Sequence, residues 1–283
     1  MSNGLCAIVL LMLMLNGCAA RAPKEFDATY GNGSRQLVVA TGSPGELGLL
    51  KVLAEEFSKD NDVAVCWRKA GTGDSLRLLH DRKADVVMVH GPAEEKKAVS
   101  EGWAVHRTLI GSNEFYLVGP HEDPAKVQST NSVAEAFARI ARSRAKFFSR
   151  ADNSGTHKKE MAIWQKTRIV PAGDWYVPTK SFMIASLMRA NDERGYFLTD
   201  SSTWIACRDR AANLKIVLKG DPFIVNVYHA YRQPAQPGSA QSPAAEFLDF
   251  LACEKAQKTI REFGRDRYGE GLYNDADYAR KFE

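Results

Sequence analysis

Leu37-Val38-Val39-Ala40-Thr41 is followed by Gly42-Ser43-Pro44-Gly45-Glu46 and then by Leu47–Asp60. The first five residues form a short apolar run, the signature of a buried strand. The next five are a Gly/Ser/Pro loop. In the third segment Leu49, Leu50, Leu53, Ala54 and Phe57 recur at helical spacing. The cycle then repeats. Val63–Arg68 reads as a strand, Gly71-Thr72-Gly73-Asp74 as a turn and Ser75–Arg82 as a helix. Ala84–His90 is another buried strand, and Pro92–Gly102 a helix with Pro in its first turn and Gly at its end. Such βαβαβα order argues for a parallel sheet with crossover helices.

A second α/β unit follows. Glu114–Val118 leads out of the first unit, and helices are expected over Val133–Arg144, Thr156–Thr167, Met183–Asn191 and Ser201–Arg208. Strands are expected at Lys146–Ser149, Tyr196–Thr199 and Leu214–Leu218. Asn226–Tyr231 then reads as a returning strand and Ala244–Phe263 as one long terminal helix. The expected division is therefore 36–113 with 227–283 for one lobe and 114–226 for the other.

The 283 residues are 45% hydrophobic and 25% charged, ordinary globular composition that excludes a disordered chain. Lys and Arg number 38 against 34 Asp and Glu, a net charge of only +4 without a basic stripe, so no nucleic-acid partner is expected.

Residues 5–15 form an apolar run of 11, too short to span a bilayer but suited to a secretory signal. Leu15-Asn16-Gly17-Cys18-Ala19 resembles a bacterial lipoprotein signal, although Met1-Ser2-Asn3-Gly4 carries no Lys or Arg. The resemblance implies a signal peptide over 1–17, lipid on Cys18 and a polar tether over 18–35. It also implies an exported, membrane-anchored protein, at the outer membrane in a Gram-negative host. A plain secretory signal or a buried apolar helix is the alternative. Cys66, Cys207 and Cys253 remain, without CxxC spacing, and read as buried thiols with room for one disulfide.

Three segments share a strand end, a turn of Gly and hydroxyl residues, and a helix start. They are Thr41–Gly45, Gly71–Ser75 and Ser149–His157. Helix N-termini offer unpaired N–H donors, Gly allows close backbone approach, and Ser and Thr add hydroxyls. Helix capping alone would explain any one loop. Three together, one beside Arg150, point to an anion cleft at the strands' carboxyl ends.

Ser149-Arg150-Ala151-Asp152-Asn153-Ser154-Gly155-Thr156-His157-Lys158-Lys159-Glu160 is the most distinctive run. With Gly71-Thr72-Gly73, Ala84–His90, Asn113–Pro120, Tyr196–Asp200 and Gly220-Asp221-Pro222, it resembles the TupA-type tungstate-binding proteins of ABC transporters. The likeness covers about residues 37–231. It implies a two-lobed periplasmic-binding-protein fold of type II, without cofactor or enzymatic activity, closing on a tetrahedral oxyanion. Tungstate or molybdate would be the ligand and an ABC permease the partner of a monomeric protein. Carried over residue by residue, it assigns Arg150, Ser154 and Thr156 to one side of the anion and Thr41, Ser43 and Thr72 to the other. A fully ionised dianion needs donors only. A protonated oxyanion would want a carboxylate, for which Asp152 is the candidate the local sequence offers; its expected role is to orient Arg150 or cap the following helix.

Departures fall in the same loops. Ala40-Thr41-Gly42-Ser43, with Pro44 next, has fewer hydroxyls than the family's Thr-Thr-Thr-Ser. Phe182 and Ile184 replace glycines, which would fill the cleft or block backbone approach. Tyr228–Gln233 lacks the usual small apolar pattern. The alternative expectation is therefore a divergent sensor or partner-binding lipoprotein with a different or lost small-molecule ligand. The six His show no metal-ligand spacing, and no GxSxG elbow or P-loop is present. The Lys96-Lys97 and Lys158-Lys159 pairs read as solvated helix faces.

Overall fold

Val39, Val86 and Val87 are fully buried because their strands lie in the middle of a sheet covered on both faces. The structure, a computed structural model, describes residues 25–235 and 243–283. The expected signal peptide and Cys18 lie outside the described residues.

The first lobe opens with β1 (Ala28–Tyr30), β2 (Arg35–Thr41), α1 (Ser43–Glu46), α2 (Leu49–Asp60), β3 (Val63–Lys69), α3 (Thr72–His80), β4 (Val86–Val89) and α4 (Pro92–Ser100). The 16-residue β5 (Val105–Pro120) then crosses to the second lobe. There lie α5 (Val133–Ser143), β6 (Phe147–Ser149), α6 (Gly155–Thr167), β7 (Tyr176–Pro178), α7 (Met183–Asp192), β8 (Tyr196–Asp200), α8 (Ser201–Cys207) and β9 (Leu214–Leu218). The return strand is β10 (Val225–Arg232). After it come α9 (Pro243–Ala252), α10 (Glu254–Glu262), α11 (Arg265–Tyr268), β11 (Asn274–Asp275) and α12 (Ala276–Ala279).

The strands run in the order β1-β3-β2-β4-β10-β5-β8-β6-β7, with β9 and β11 also on β5. The pairs β2–β3, β2–β4, β6–β7 and β6–β8 are parallel, as the alternating pattern predicts. The remaining pairs are antiparallel. β5 pairs with β10 as far as Glu114↔Val225 and begins its pairing with β8 at Phe115↔Asp200. One strand thus belongs to both lobes.

Each lobe has a core on both faces of its sheet. Leu37, Leu53, Phe57, Phe247 and Leu251 pack on one face of the first, and Ala40, Leu79, Val87 and Tyr231 on the other. In the second lobe the faces alternate along single strands, since successive side chains of a strand point opposite ways. Phe147, Tyr196 and Leu198 join Trp164 and Phe137 on one face, while Phe148 and Phe197 join Met183 and Leu187 on the other.

Four expectations need correction. Residues 28–30, expected within the tether, form β1 at the sheet edge, pairing with β3 from Ala28↔Trp67. The first helix turn after Gly71 already includes Thr72, so α3 starts earlier than Ser75. The terminal helix is two helices, because Cys253 is extended (φ −75°, ψ 155°) and serves as N-cap of α10. Cys66 and Cys207 are buried free thiols, but Cys253 is only half-buried, since it sits at that break. Among the described residues no helix is long and apolar enough to cross a membrane.

Candidate anion cleft between the lobes

Arg150 follows directly on β6 and is 4% exposed. Its Nε donates to Asp152 Oδ2 at 3.1 Å, and Nη2 contacts the same oxygen. Asp152 Oδ1 also accepts from the Ser154 backbone N–H at 3.2 Å. Asp152 therefore both orients the guanidinium and ties the loop to the start of α6, while Nη1 is left free of it. Ala151 and Asn153 adopt left-handed backbone (φ 47° and 58°), which folds this short loop back on itself.

Ser154 is the N-cap of α6: its Oγ accepts from the His157 N–H at 3.3 Å, so its own proton remains to be donated. Thr156 lies buried in the first turn of the same helix. The other lobe faces this loop closely. A methyl group on Gly71 would stand 3.1 Å from Ser154 Cβ, and one on Gly73 would collide with Asn153. Thr72, buried beside them at the start of α3, accepts from the His90 N–H at 3.4 Å and keeps its proton. Lys158 Nζ and Glu94 Oε1 pair across the boundary at 2.7 Å. The helix starts of α3 and α6 thus meet where the lobes touch, with Arg150 just ahead of α6. A groove of about 720 Å³ is lined by His90, Glu94, His157, Lys158 and Phe223, and Arg150 is not part of its lining.

Two of the expected donors are engaged otherwise. Thr41 gives its one hydroxyl proton to the Met88 carbonyl at 2.9 Å inside the first lobe, fixing the end of β2 to that of β4. Ser43 reaches across the cleft and donates to Asp200 Oδ2 at 3.2 Å. Phe182 is the N-cap residue of α7, and its ring centre lies 4.3 Å from Lys69 Nζ and 5.5 Å from the Arg150 guanidinium carbon. It stands between a cation of each lobe.

Asp152 is not the one carboxylate near Arg150, as the local sequence suggests. Asp200, 1% exposed at the end of β8, accepts from the Thr203 N–H at 2.7 Å, the Thr203 hydroxyl at 3.0 Å and Ser43. Burial pushes its carboxyl above the ordinary range. Asp200-Ser201-Ser202-Thr203 after an apolar strand is a capping pattern that marks a helix start, but it says nothing of a partner in the other lobe. Behind the cleft, His90 Nδ1 meets Asn226 Oδ1 at 2.8 Å, and Asn226 Nδ2 donates to Asn113 Oδ1 at 2.7 Å. Asn113 Nδ2 continues to Ser202 Oγ at 2.7 Å. This chain of polar groups joins both crossing strands to both lobes. Burial holds His90 neutral, with its pKa pulled down to about 3. Among the described residues no cluster of His, Cys, Asp and Glu could hold a metal ion.

The comparisons agree with this architecture. The family model for the PBP superfamily domain matches residues 28–255. The tungstate-binding protein TupA of Peptoclostridium acidaminophilum is 35% identical over 275 residues, covering 94% of this chain and 95% of the relative. The crystal structure of the tungstate ABC transporter from Geobacter sulfurreducens is 33% identical, with a TM-score of 0.73, covering 82% of this chain and all of the other. The tungstate-binding protein TupA from Desulfovibrio alaskensis is 34% identical with a TM-score of 0.71, covering 86% of this chain and 99% of the other. Two lobes that share the strand β5, a buried arginine at their contact and likeness along nearly the whole chain lead to one conclusion: this chain belongs to the PBP superfamily and, within it, to the family of the TupA tungstate-binding proteins.

Proposed function

We propose that the chain is the extracytoplasmic binding component of an ABC importer for a tetrahedral oxyanion, with tungstate or molybdate as its cargo. It would bind and release this cargo unchanged. The observation that carries the reading is Arg150: a buried guanidinium with one nitrogen free of Asp152, set beside the point where the starts of α3 and α6 meet from two lobes. Arg150, Ser154 and Thr156 would hold the anion from the second lobe, with Thr72 and Ser43 from the first. Thr41 would shape the loop from behind. A dianion without a proton is best met by such donors, since neutral hydroxyl and N–H groups are less costly to desolvate than further charges.

Lobe boundaries at 36–113 with 227–283 and at 114–226 are supported by the change of partner along β5 at Glu114 and Phe115. Bending there would open the cleft, and an anion touching both lobes would favour the closed form. We further infer lipid attachment at Cys18, a monomer, and a permease that receives the closed form.

The test is thermal unfolding in the presence of tungstate, molybdate, sulfate, phosphate, chromate and vanadate. Ligand at 100 times its Kd adds about 2.7 kcal/mol, a rise of roughly 5–10 °C in Tm. Tungstate or molybdate should give it, and Arg150→Ala should remove it. A flat panel would overturn the reading in favour of a sensor or partner-binding protein.

A further inference from the structure

Asp200 is out of place in a cleft for dianions. It is almost wholly buried, it lies in the contact between the lobes, and among the described residues no cation pairs with it. Its three partners are neutral donors: the Thr203 N–H on Oδ1, and the Thr203 and Ser43 hydroxyls on Oδ2. An ionised Asp200 takes the single proton of Ser43. The serine then turns only lone pairs toward an incoming anion, and two like charges face each other in a dry site.

We propose that Asp200 sets the direction of the Ser43 hydroxyl, so that capture of an oxyanion dianion is coupled to uptake of one proton. The inference rests on the oxyanion reading above. A proton from water attaches to Asp200 Oδ2. The resulting O–H donates to Ser43 Oγ, and the serine proton swings to the anion. Thr203 keeps both its bonds, because Oδ1 still accepts its N–H and Oδ2 retains a lone pair for its hydroxyl. Release of the anion returns the proton to water, and no bond to the cargo forms or breaks. Asp200 is thus a positioning residue that acts through Ser43.

The surroundings favour a carboxyl that gains its proton when the anion arrives. Burial raises the Asp200 pKa, and the Arg150 charge opposes this. A bound dianion offsets the Arg150 charge. The other titratable groups facing it are Tyr228 of β10, Tyr273 of the C-terminal segment and Cys207 of α8, all raised by burial and neutral at pH 7. Glu46 of α1 acts, like Asp200, on Cys207 and Tyr273; its Oε1 pairs with Lys69 at 2.6 Å, and its buried Oε2 has no hydrogen-bond partner among the described residues. Among the described residues Asp200 is the carboxylate that accepts the Ser43 proton, so a change in its protonation acts directly on that hydroxyl.

The test is calorimetric titration of the purified full chain with sodium tungstate between pH 7 and 9, in two buffers of different ionisation enthalpy. The wild type should take up about one proton per tungstate, and its affinity should fall roughly tenfold per pH unit. Asp200→Asn keeps the helix cap, since Asn caps as well as Asp. Its amide donates permanently to Ser43. It should bind tungstate at least as tightly as the wild type at pH 8, with neither proton uptake nor pH dependence. Ser43→Ala should bind more weakly and lose the uptake. Tungstate binding by the wild type without uptake, uptake surviving in Asp200→Asn, or loss of binding in a folded Asp200→Asn would each overturn the proposal and leave the oxyanion reading standing. So would tighter binding of hydrogen phosphate than tungstate, reversed in Asp200→Asn, because Asp200 would then accept a proton that the ligand brings. Absence of any oxyanion binding by the wild type would remove both.

Discussion

The Cα of Gly155 faces the imidazole of His90 across the lobe boundary, so closely that a methyl group there would collide with the ring. The ring has little freedom to yield. Asn226 holds Nδ1 at 2.8 Å, and Tyr228 packs against the ring at 4.7 Å between centres, tilted by 37°. Gly155 begins α6 without a left-handed backbone, so Ala suits the helix locally and even favours it. The conflict arises only on closure. Gly155→Ala should therefore fold with a Tm near that of the wild type and bind tungstate at least roughly tenfold more weakly, about 1.4 kcal/mol. Small-angle scattering should show no compaction on adding the anion. Unchanged affinity would mean that the lobes need not approach this closely.

Phe182 stands where the family resemblance places a glycine, and a side chain there is expected to obstruct the cleft. The ring lies instead between Lys69 and Arg150, within cation–π distance of both. Such contacts contribute from about 0.5–1 kcal/mol at exposed sites to about 2 kcal/mol when shielded from water. The ring also covers one side of the guanidinium that the anion would meet. Phe182→Ala should thus weaken tungstate binding by roughly 3–10-fold, the low end of that energy range. Tighter binding in the variant, read by calorimetry, would show that the ring is a plug rather than a wall.

The parts legible in the sequence are those written locally. β2, β4 and β6 announce themselves because a parallel strand buried on both faces is a continuous apolar run. The first half of β5 is not, since Val105-His106-Arg107-Thr108 mixes polar groups into a strand whose partners, β10 and β11, come more than a hundred residues later. The break at Cys253 carries no Gly or Pro to mark it. In the site, the loop from Ser149 to Thr156 is one contiguous motif, and its internal bonds span two or three residues. The Ser43–Asp200 bond joins residues 157 apart. No spacing rule reaches that far, and Asp200 reads only as a helix cap until the lobes are brought together.

Glu160 closes the same motif, yet it faces inward. Its carboxylate accepts from Ser149 Oγ at 2.7 Å, Tyr176 OH at 2.7 Å and Trp164 Nε1 at 3.1 Å, and Ser149 in turn accepts from the Ala151 N–H. Burial raises its pKa to about 7, although all three donors oppose the rise. In the unfolded chain the group titrates near the ordinary glutamate value of about 4.3. The native state therefore binds more protons than the unfolded state between these values. The stabilisation from a neutral Glu160 is full below the unfolded value and is lost as pH rises through about 7. His90 has the opposite slope, since its depressed pKa of about 3 lowers stability as pH falls below about 6.5. A comparison of variant with wild type at each pH removes the His90 contribution. Glu160→Gln keeps an acceptor for Tyr176 and Trp164 and can donate to Ser149 Oγ. Its stability should match the wild type near pH 4 and exceed it by on the order of 1–3 kcal/mol at pH 8. Chemical unfolding at several pH values measures the gap. A gap that does not widen with pH would show that the carboxyl is already ionised in the folded protein.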